Sequence, residues 1–211
     1  MQTTLNYAPG AASLLLHWLL LELDVPHQLR LVDTAAKQQK TPEYLALNPN
    51  GVVPTLVIDG VPQHEAAAMA MVLAERHPQA GLGPAAGDPR RADYLQWMFN
   101  LANMVQPLFR QWWYPQEPAG EACREAVLEH CARRIEAEWT RIDAHLAAHG
   151  PYLLGKGPTV ADFYLTMLMR WSRNMPRPAT DWSHLATLAQ VMRARPSFTT
   201  LYAREGLTEW V

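Results

Sequence analysis

The chain has 211 residues, of which 49% are hydrophobic and 18% are charged, and its formal net charge at pH 7 is −2. A chain of this length and hydrophobic content can build a substantial core, as one large domain or two small ones. The nearly balanced charge gives no general attraction to nucleic acids or anionic membranes, so neither is predicted as a partner.

The apolar segments and the cysteines allow predictions about membrane spans, cellular location and disulfides. The longest apolar run, from Leu14 to Leu21, is interrupted by His17 and is too short to span a bilayer. The first residues show neither a basic region nor a signal-cleavage pattern, which predicts a cytoplasmic protein. Cys123 and Cys131 would stand roughly 12 Å apart along one helix, too far for a disulfide, so both are predicted to be buried or half-buried thiols.

The first part of the chain alternates between strand-like and helix-like patterns. Periodicity predicts, in chain order, a strand at 3–7, a helix at 13–23, a strand at 28–32, strands at 55–58 and 62–64, and a helix at 65–77. The pair Asp59-Gly60 between the last two strands is typical of a tight hairpin turn. Residues 1–78 are therefore predicted to form an α/β domain, with a βαβ unit followed by a hairpin and a closing helix.

A stretch rich in glycine and proline separates this α/β part from the rest. The glycines and prolines from Pro78 to Gly87 break all periodicity, so a linker is predicted at 79–90. Apolar residues then recur at helical spacing, with no convincing strand, in segments at 91–115, 118–148, 159–174 and 182–205. Residues 91–211 are therefore predicted to form an all-α domain.

The stretch NPNGVVPTLVIDG places Pro54 directly before the strand predicted at 55–58. Proline cannot donate to a strand ladder, so it belongs at an edge, at a strand's first residue, or in a turn where a cis bond is useful. The residue before a cis-proline keeps its backbone N–H and C=O outside the ladder. We therefore expect Val53 to be able to pair with a peptide-like ligand as an extra strand.

Two helix starts in the α/β part have anion-binding character. Ser13 stands where an N-cap is expected, after the turn at Pro9 and Gly10, and a second helix starts at Glu65 and Ala66. Free N–H groups and the helix dipole converge on an anion at such positions. Two alternatives stay open: the serine acts only as a cap, and the glutamate is only stabilised by the dipole instead of holding the ammonium group of a ligand.

These motifs, in this order, resemble the cytosolic glutathione transferase family. They are YAPGAAS, NPNGVVPTL and HEAAAM in the first part, and GKGPTVADFYLTMLMRW after the linker, where Thr159 and Asp162 are predicted to form a capping box. The resemblance covers essentially the whole chain and points to the bacterial, beta-class-like branch. It implies the glutathione transferase fold: a thioredoxin-like N-terminal domain followed by an all-helical C-terminal domain, with glutathione as a co-substrate.

The resemblance also assigns glutathione-binding residues. By it, Pro54 is the cis-proline that lets Val53 bind the cysteinyl part of glutathione through its backbone. Glu65 and Ala66 would hold the γ-glutamyl part of the molecule. Lys37 is placed to reach the glycine carboxylate, although a solvated surface lysine is the alternative.

The sequence departs from the beta-class pattern at three places. Ala12 stands where beta-class members have a cysteine, so a mixed disulfide with a protein thiol is excluded at that position. Ala66 replaces a serine whose hydroxyl receives the γ-glutamyl carboxylate, a loss of about 1.5–3 kcal/mol that weakens binding roughly ten-fold or more unless a neighbour such as Gln63 compensates. Gln106 and Pro107 replace a basic His-Lys pair.

Conjugation requires a group that stabilises the glutathione thiolate, because a thiol with a pKa of about 8.5 is a poor nucleophile at neutral pH. The Ser13 hydroxyl matches the serine that acts in several classes of the family, and it lies at a helix start. Tyr7 occupies the strand-end position of the catalytic tyrosine in the mammalian-type classes, where bacterial relatives also have an aromatic residue for packing. Ser13 is the preferred catalytic candidate and Tyr7 is the second.

The segment QWMFNLANMVQPLFRQWWYPQEP spreads large apolar side chains around more than one helix face, so they cannot all enter one core. Flexible methionine beside rigid aromatic rings suits an adaptable apolar pocket. The predicted hydrophobic substrate pocket consists of Met104, Phe109, Trp112 and Trp113. Core or dimer contacts are the alternative for each, and Pro107 is predicted to kink this helix and shape the cleft wall.

The function that follows from the resemblance is conjugation of the glutathione thiolate to small hydrophobic electrophiles, in detoxification, by a homodimer. No metal site is predicted: His145 and His149 share a helical face, but no carboxylate or cysteine completes a ligand set. Two alternatives stay open. One is a non-catalytic or weakly catalytic ligand-binding protein of the same fold, and the other is a glutathione-dependent peroxidase, which needs the thiolate but no protein cysteine.

Overall fold

The computed structural model describes residues 2–210, so residues 1 and 211, the outer ends of the predicted domains, lie outside the described residues. The first elements are β1 (Thr3–Tyr7), α1 (Ser13–Glu22), β2 (Gln28–Leu31), α2 (Pro42–Leu45), β3 (Thr55–Ile58), β4 (Val61–Gln63) and α3 (Ala66–Arg76). They are followed by α4 (Arg91–Asn100), α5 (Gln106–Trp113), α6 (Arg124–His149), α7 (Val160–Trp171), α8 (Ser183–Arg193) and α9 (Pro196–Glu205). The strands and helices predicted for the α/β part are confirmed, each close to its predicted bounds.

The strands form a four-stranded sheet in the order β2-β1-β3-β4. β1 is parallel to β2 and antiparallel to β3, with Asn6 opposite Thr55, and β3 is antiparallel to β4, with Leu56 opposite Gln63. The last residues of β1, β2 and β4 therefore lie at the same end of the sheet as the first residue of β3. We call this the Tyr7 end, and both α1 and α3 begin there because they follow β1 and β4.

The described chain packs as two compact units. The first contains the residues up to Gly83 together with Ala194–Glu209, and the second contains Pro84–Arg193 together with Trp210. Helix α9 packs on α1 within the first unit, so that unit is built from two distant parts of the chain. The predicted linker at 79–90 includes the boundary between the two units near Gly83, and the domain ranges themselves stay a proposal.

Helix α1 forms the centre of the first unit. Its sequence SLLLHWLLLE is apolar at nearly every position, which is typical of a helix buried on all sides. The Trp18 ring packs against the Phe198 ring at a centroid distance of 5.1 Å, and the Trp18 indole N–H donates to the Ser197 hydroxyl at 2.9 Å. Leu5 of β1 and Leu56 of β3 are fully buried. The thioredoxin-like arrangement predicted for this part is present.

The second unit is helical, as predicted, and α7 is its most buried helix. The predicted capping box is confirmed: the Thr159 side chain accepts from the third residue of α7, and Asp162 accepts the Thr159 N–H at 2.7 Å. Asp162 also accepts the Leu153 N–H at 2.8 Å and is 0% exposed. Burial raises the pKa of Asp162 to about 6, and the hydrogen bonds that the carboxylate accepts oppose this rise.

The helix predicted at 91–115 is interrupted before Pro107. Leu101–Val105 forms a π-helical stretch between α4 and α5, and Pro107 lies in the first turn of α5. Proline has no N–H, and its ring would clash with the carbonyl group of Asn103 in a regular helix. A π turn is wider and removes this clash, so the predicted irregularity takes the form of a π-helical stretch.

Two further expectations need correction. The segment predicted at 182–205 is divided into α8 and α9, because Pro196 suits only the first turn of a helix and starts a new one. Cys123 is exposed, contrary to the prediction, whereas Cys131 is buried and burial raises the pKa of its thiol; both cysteines are free.

In the part of the chain that the structure describes, no helix is long and apolar enough to cross a membrane.

Candidate functional site

The chain turns sharply between β1 and α1, at the Tyr7 end of the sheet. The Ala11 N–H donates to the Ala8 carbonyl oxygen at 3.1 Å, which closes a β-turn with Pro9 and Gly10 at its centre. Gly10 has a φ of 67°, the left-handed conformation that a type II turn requires at this position and that glycine adopts without steric cost. Proline followed by glycine is therefore compatible with the type II turn through which the chain enters α1.

Ser13 is the first residue of α1, so the prediction that it is the N-cap is wrong. Ala12 holds the N-cap position and makes no side-chain cap. The Ser13 hydroxyl instead donates to the Ala8 carbonyl oxygen at 3.0 Å and accepts from the Ala8 N–H at 3.2 Å. Ser13 is 0% exposed, and a hydroxyl has one proton to donate. In this arrangement the hydroxyl fastens the turn to the helix.

The start of α1 leaves backbone donors open because no side chain caps it. Among residues 2–210, nothing accepts a hydrogen bond from the N–H of Ala12 or Ser13, and Ala12 is half-exposed. No acidic side chain lies in the first turn. The positive end of the helix dipole and these donors can together stabilise an anion, such as a thiolate or a carboxylate.

Tyr7, the second catalytic candidate, ends β1 and is half-buried. Its ring lies 6.0 Å from the His17 ring, measured between centroids. Its hydroxyl makes no side-chain hydrogen bond within the described residues, so its proton is available to another acceptor. Tyr7 and the start of α1 lie at the same end of the sheet.

The peptide bond between Val53 and Pro54 is cis, as predicted. β3 begins only after Pro54, and the N–H and C=O groups of Val53 have no partner in the described part of the chain. The Tyr44 hydroxyl and the Asn48 amide both donate to the Val52 carbonyl oxygen, at 2.9 and 2.8 Å. Burial raises the pKa of the Tyr44 phenol. These bonds hold the loop while the backbone of Val53 stays free.

Helix α3 begins at Ala66, with Glu65 at the N-cap position. Glu65 has a φ of 71°, a conformation that costs of the order of 1–3 kcal/mol outside glycine and that clusters at functional sites. Its carboxylate is exposed and does not cap the helix, while Ala66 is buried. This second helix start therefore offers backbone donors beside a carboxylate.

The sheet topology brings most of the predicted residues together. Tyr7, the start of α1, Val53 and the start of α3 all lie at the Tyr7 end of the sheet. Lys37 is different, because it lies several residues beyond β2 in an exposed loop, with a φ of 58°. Strand register does not place its ammonium group with the others.

A buried cluster behind the turn was not predicted. The Gly10 N–H donates to Glu205 Oε2 at 2.8 Å, and His17 Nδ1 lies 2.8 Å from Glu205 Oε1. The side chains of His17 and Glu205 are both 0% exposed. Two signals exist in the sequence: His17 interrupts an apolar run, and Glu205 is a carboxylate at the end of a helix, where the dipole disfavours it. No local pattern connects the two, because they are 188 residues apart.

The predicted pocket residues of the second unit differ in exposure. Met104 is 42% exposed and Trp113 is 40% exposed, while Trp112 is half-buried. Phe109 is fully buried, and its ring lies 5.9 Å from that of buried Trp139 and 6.0 Å from that of half-buried Trp171. Among these four residues, the accessible apolar surface is therefore carried by Met104, Trp112 and Trp113, while Phe109 belongs to the core.

The second unit also contains a cleft of about 870 Å³, lined in part by His145 and His149. The two rings lie 4.8 Å apart, and His145 Nε2 lies 2.8 Å from the Leu153 carbonyl oxygen. Arg141, which also lines the cleft, is paired with Glu138. The described residues contain no group of three or more histidine, cysteine or acidic side chains able to hold a metal ion.

Comparison with known proteins agrees with this geometry. Residues 12–76 match the family described as glutathione S-transferase, N-terminal domain, and residues 125–201 match the corresponding C-terminal domain. Glutathione S-transferase GST-4.5 of Xanthomonas campestris is 33% identical over 203 residues, covering 94% of this chain and 97% of that protein. A glutathione transferase homologue from Sulfitobacter with bound glutathione has a TM-score of 0.90 and 27% identity, covering 98% of this chain and 99% of that one. The chain therefore belongs to the glutathione S-transferase family.

Proposed function

We propose that the chain is a glutathione S-transferase that conjugates the glutathione thiolate to small hydrophobic electrophiles. One observation carries this proposal: two helix starts and the free backbone of Val53 meet at the Tyr7 end of one sheet. Glutathione is a short peptide with two carboxylates and a thiol, so it needs a strand-like backbone partner and anion-binding donors. The bound glutathione of the Sulfitobacter homologue supports the proposal.

Each part of glutathione has a proposed partner. The cysteinyl backbone pairs with the N–H and C=O of Val53, beside Pro54. The γ-glutamyl carboxylate accepts from the first N–H groups of α3, at Ala66, and the γ-glutamyl ammonium group pairs with the Glu65 carboxylate. Lys37 is the proposed partner of the glycine carboxylate, reached by movement of its long side chain.

The open N–H groups at the start of α1 are the proposed stabilisers of the thiolate. The Ser13 contribution comes from its backbone N–H, since its hydroxyl proton is donated to Ala8. Tyr7 is the second candidate, with its phenol as the donor. The thiol proton leaves to solvent, the sulfur forms a bond to carbon with its lone pair, and the leaving group departs with the electrons of its broken bond.

The electrophile is proposed to contact Met104, Trp112 and Trp113. Flexible methionine and exposed tryptophan bind apolar groups of varied shape, which suits a broad substrate range. A homodimer, a cytoplasmic location and a role in detoxification are proposed from the family resemblance. Size-exclusion chromatography with light scattering tests the dimer directly.

A ligand-binding protein with little or no turnover is the second candidate function. It is favoured by Ala66, where a buried methyl group stands in place of the hydroxyl that would receive the γ-glutamyl carboxylate. Weak glutathione binding would follow from the lost hydrogen bond.

Calorimetric titration with reduced glutathione, followed by a chromogenic conjugation assay on the same sample, tests the proposed function. We expect binding in the micromolar to low-millimolar range together with turnover. Binding without turnover contradicts the transferase and supports the ligand-binding protein. No binding at several millimolar glutathione contradicts the assignment of the site itself.

A further inference from the structure

We propose that Glu205 is a positioning residue for the glutathione thiolate: its buried carboxylate holds the central peptide of the Ala8–Ala11 turn and so aims the open N–H groups of α1. This inference rests on the proposed function, because it concerns how the same site is held. Glu205 belongs to α9, far along the chain from the turn, and its Oε2 accepts the Gly10 N–H at 2.8 Å. Its other oxygen, Oε1, lies 2.8 Å from His17 Nδ1.

The contact controls the one peptide group that decides the type of turn. Types I and II differ mainly by a flip of the peptide between the two central residues, here Pro9 and Gly10. A glycine tolerates either orientation, so the sequence alone leaves this peptide free to flip. The Glu205 carboxylate accepts its N–H and thereby selects the arrangement in which Gly10 has a φ of 67°.

The carboxylate is itself fixed by its surroundings. The Glu205 and His17 side chains are both 0% exposed, so water does not compete with their bond. Because a carboxylate only accepts, His17 Nδ1 carries the proton in this bond. His17 lies within α1, so Glu205 contacts both the turn and the helix that the turn leads into.

In this geometry, neighbouring backbone N–H groups differ in whether they already have an acceptor. The Gly10 N–H faces the buried carboxylate and is not available to an anionic ligand, whereas those of Ala12 and Ser13 are open. Donors stabilise a developing charge only when they are already aimed at it. If the turn is free to flip, the open donors lose that direction and the thiolate loses stabilisation.

Glu205→Met tests the proposal, because methionine fills a similar volume and accepts neither hydrogen bond. Reduced glutathione is titrated against pH on the purified full-length protein, and the thiolate is followed by its ultraviolet absorbance. We expect the pKa of the bound thiol to rise by about one unit, and conjugation at neutral pH to fall roughly ten-fold, with KM for the electrophile unchanged. An electrostatic effect alone predicts the opposite sign, since removing a negative charge makes a nearby thiolate easier to form.

Glu205→Gln is the conservative variant. The amide oxygen can still accept the Gly10 N–H, while His17 changes tautomer to accept from the amide nitrogen. We expect its bound-thiol pKa to stay at or slightly below that of the wild type. A bound-thiol pKa that rises as much in Glu205→Gln as in Glu205→Met overturns the proposal, and so does an unchanged value in Glu205→Met.

Glu22→Gln is the matched control for the docking of α9. Glu22 of α1 binds Arg195 and Ser197 at the start of α9 but makes no contact with the turn. We expect Glu22→Gln to keep the wild-type pKa of the bound thiol, and a rise in this pKa equal to that of Glu205→Met would overturn the proposal.

If Glu205→Met does not fold, Glu205→Asp replaces it. The shorter aspartate side chain withdraws its carboxylate oxygens from Gly10, so an unchanged pKa of the bound thiol again overturns the proposal. Absence of glutathione binding by the wild type would instead contradict the proposed function.

Discussion

Two helix starts in this protein are built in opposite ways. At α7, the Thr159 and Asp162 side chains take up the first backbone donors in a reciprocal capping box. At α1, the residue in the N-cap position is Ala12, which has no side-chain acceptor, and the hydroxyl of the next residue bonds back to the preceding turn. The first start is closed by its own side chains, whereas the second keeps its donors open.

The difference shows how a fold can keep the backbone donors of an anion site unoccupied. Capping a helix typically stabilises a protein by about 0.5–2 kcal/mol, so leaving a start uncapped has a cost. At α1 that cost is offset by contacts that hold the turn, from Ser13 and Glu205, without occupying the open donors. Stabilisation and ligand binding are therefore carried by different atoms of the same segment.

The largest effect on stability is expected from disrupting the capping box at the start of α7. Asp162→Ala removes the acceptor of the Thr159 and Leu153 N–H groups, leaving both donors buried without a partner. We expect the free energy of unfolding to fall by roughly 4 kcal/mol, measured by urea denaturation. Glu129→Ala, at an exposed position of α6, is the control and should change it by less than about 1 kcal/mol. An equal effect of the two substitutions would contradict a special role for the cap.

Protonation of Asp162, in the capping box of α7, should make the free energy of unfolding depend on pH. Burial raises the folded-state pKa of Asp162 from 3.8 to about 6, so the folded protein keeps the proton where the unfolded chain has lost it. The contribution of Asp162 to the free energy of unfolding is therefore greatest below about pH 4. It falls by up to roughly 3 kcal/mol as the pH rises to about 6, and it is constant above that. Urea denaturation across this range tests it, and Asp162→Asn should remove this component. A component that persists in Asp162→Asn belongs to other groups.

A smaller effect is expected at the open start. Ser13→Ala leaves the Ala8 N–H buried without its acceptor, so we expect a loss of about 2 kcal/mol in the free energy of unfolding. Thr199→Ala, exposed in α9, is the control and should be neutral. If the Ser13 hydroxyl served the thiolate instead of the turn, conjugation would disappear while stability changed little.

The smallest effect concerns the third helix start, at α3. Ala66→Ser restores a hydroxyl beside the first backbone donors, and we expect glutathione to bind about ten-fold more tightly, measured by calorimetry. Ala67→Ser places the same group one residue further along the helix and serves as the control. Equal affinities for both variants would show that Ala66 does not face the γ-glutamyl carboxylate.

Local patterns predict most of the fold but not the way the site is held. Strand alternation, the Asp59-Gly60 turn and the Thr159 capping box are decided by neighbouring residues, and all three predictions agree with the structure. The Ser13 cap prediction failed because a serine near a helix start can also bond to the preceding turn. Glu205 could not be linked to Gly10, since their contact spans 195 residues and depends on how α9 packs against α1.

The composition of the first unit has a consequence for synthesis on the ribosome. Its last segment, Ala194–Glu209, is translated only after Pro84–Arg193, which make up nearly all of the second unit. Until then the nascent first unit lacks Phe198, and the apolar face of α1 around Trp18 has no cover. Exposed apolar surface of this kind is what promotes aggregation and chaperone binding. The turn beside α1 would likewise acquire its Glu205 contact among the last steps of folding, so a chain truncated before α9 is expected to lack an ordered thiolate site.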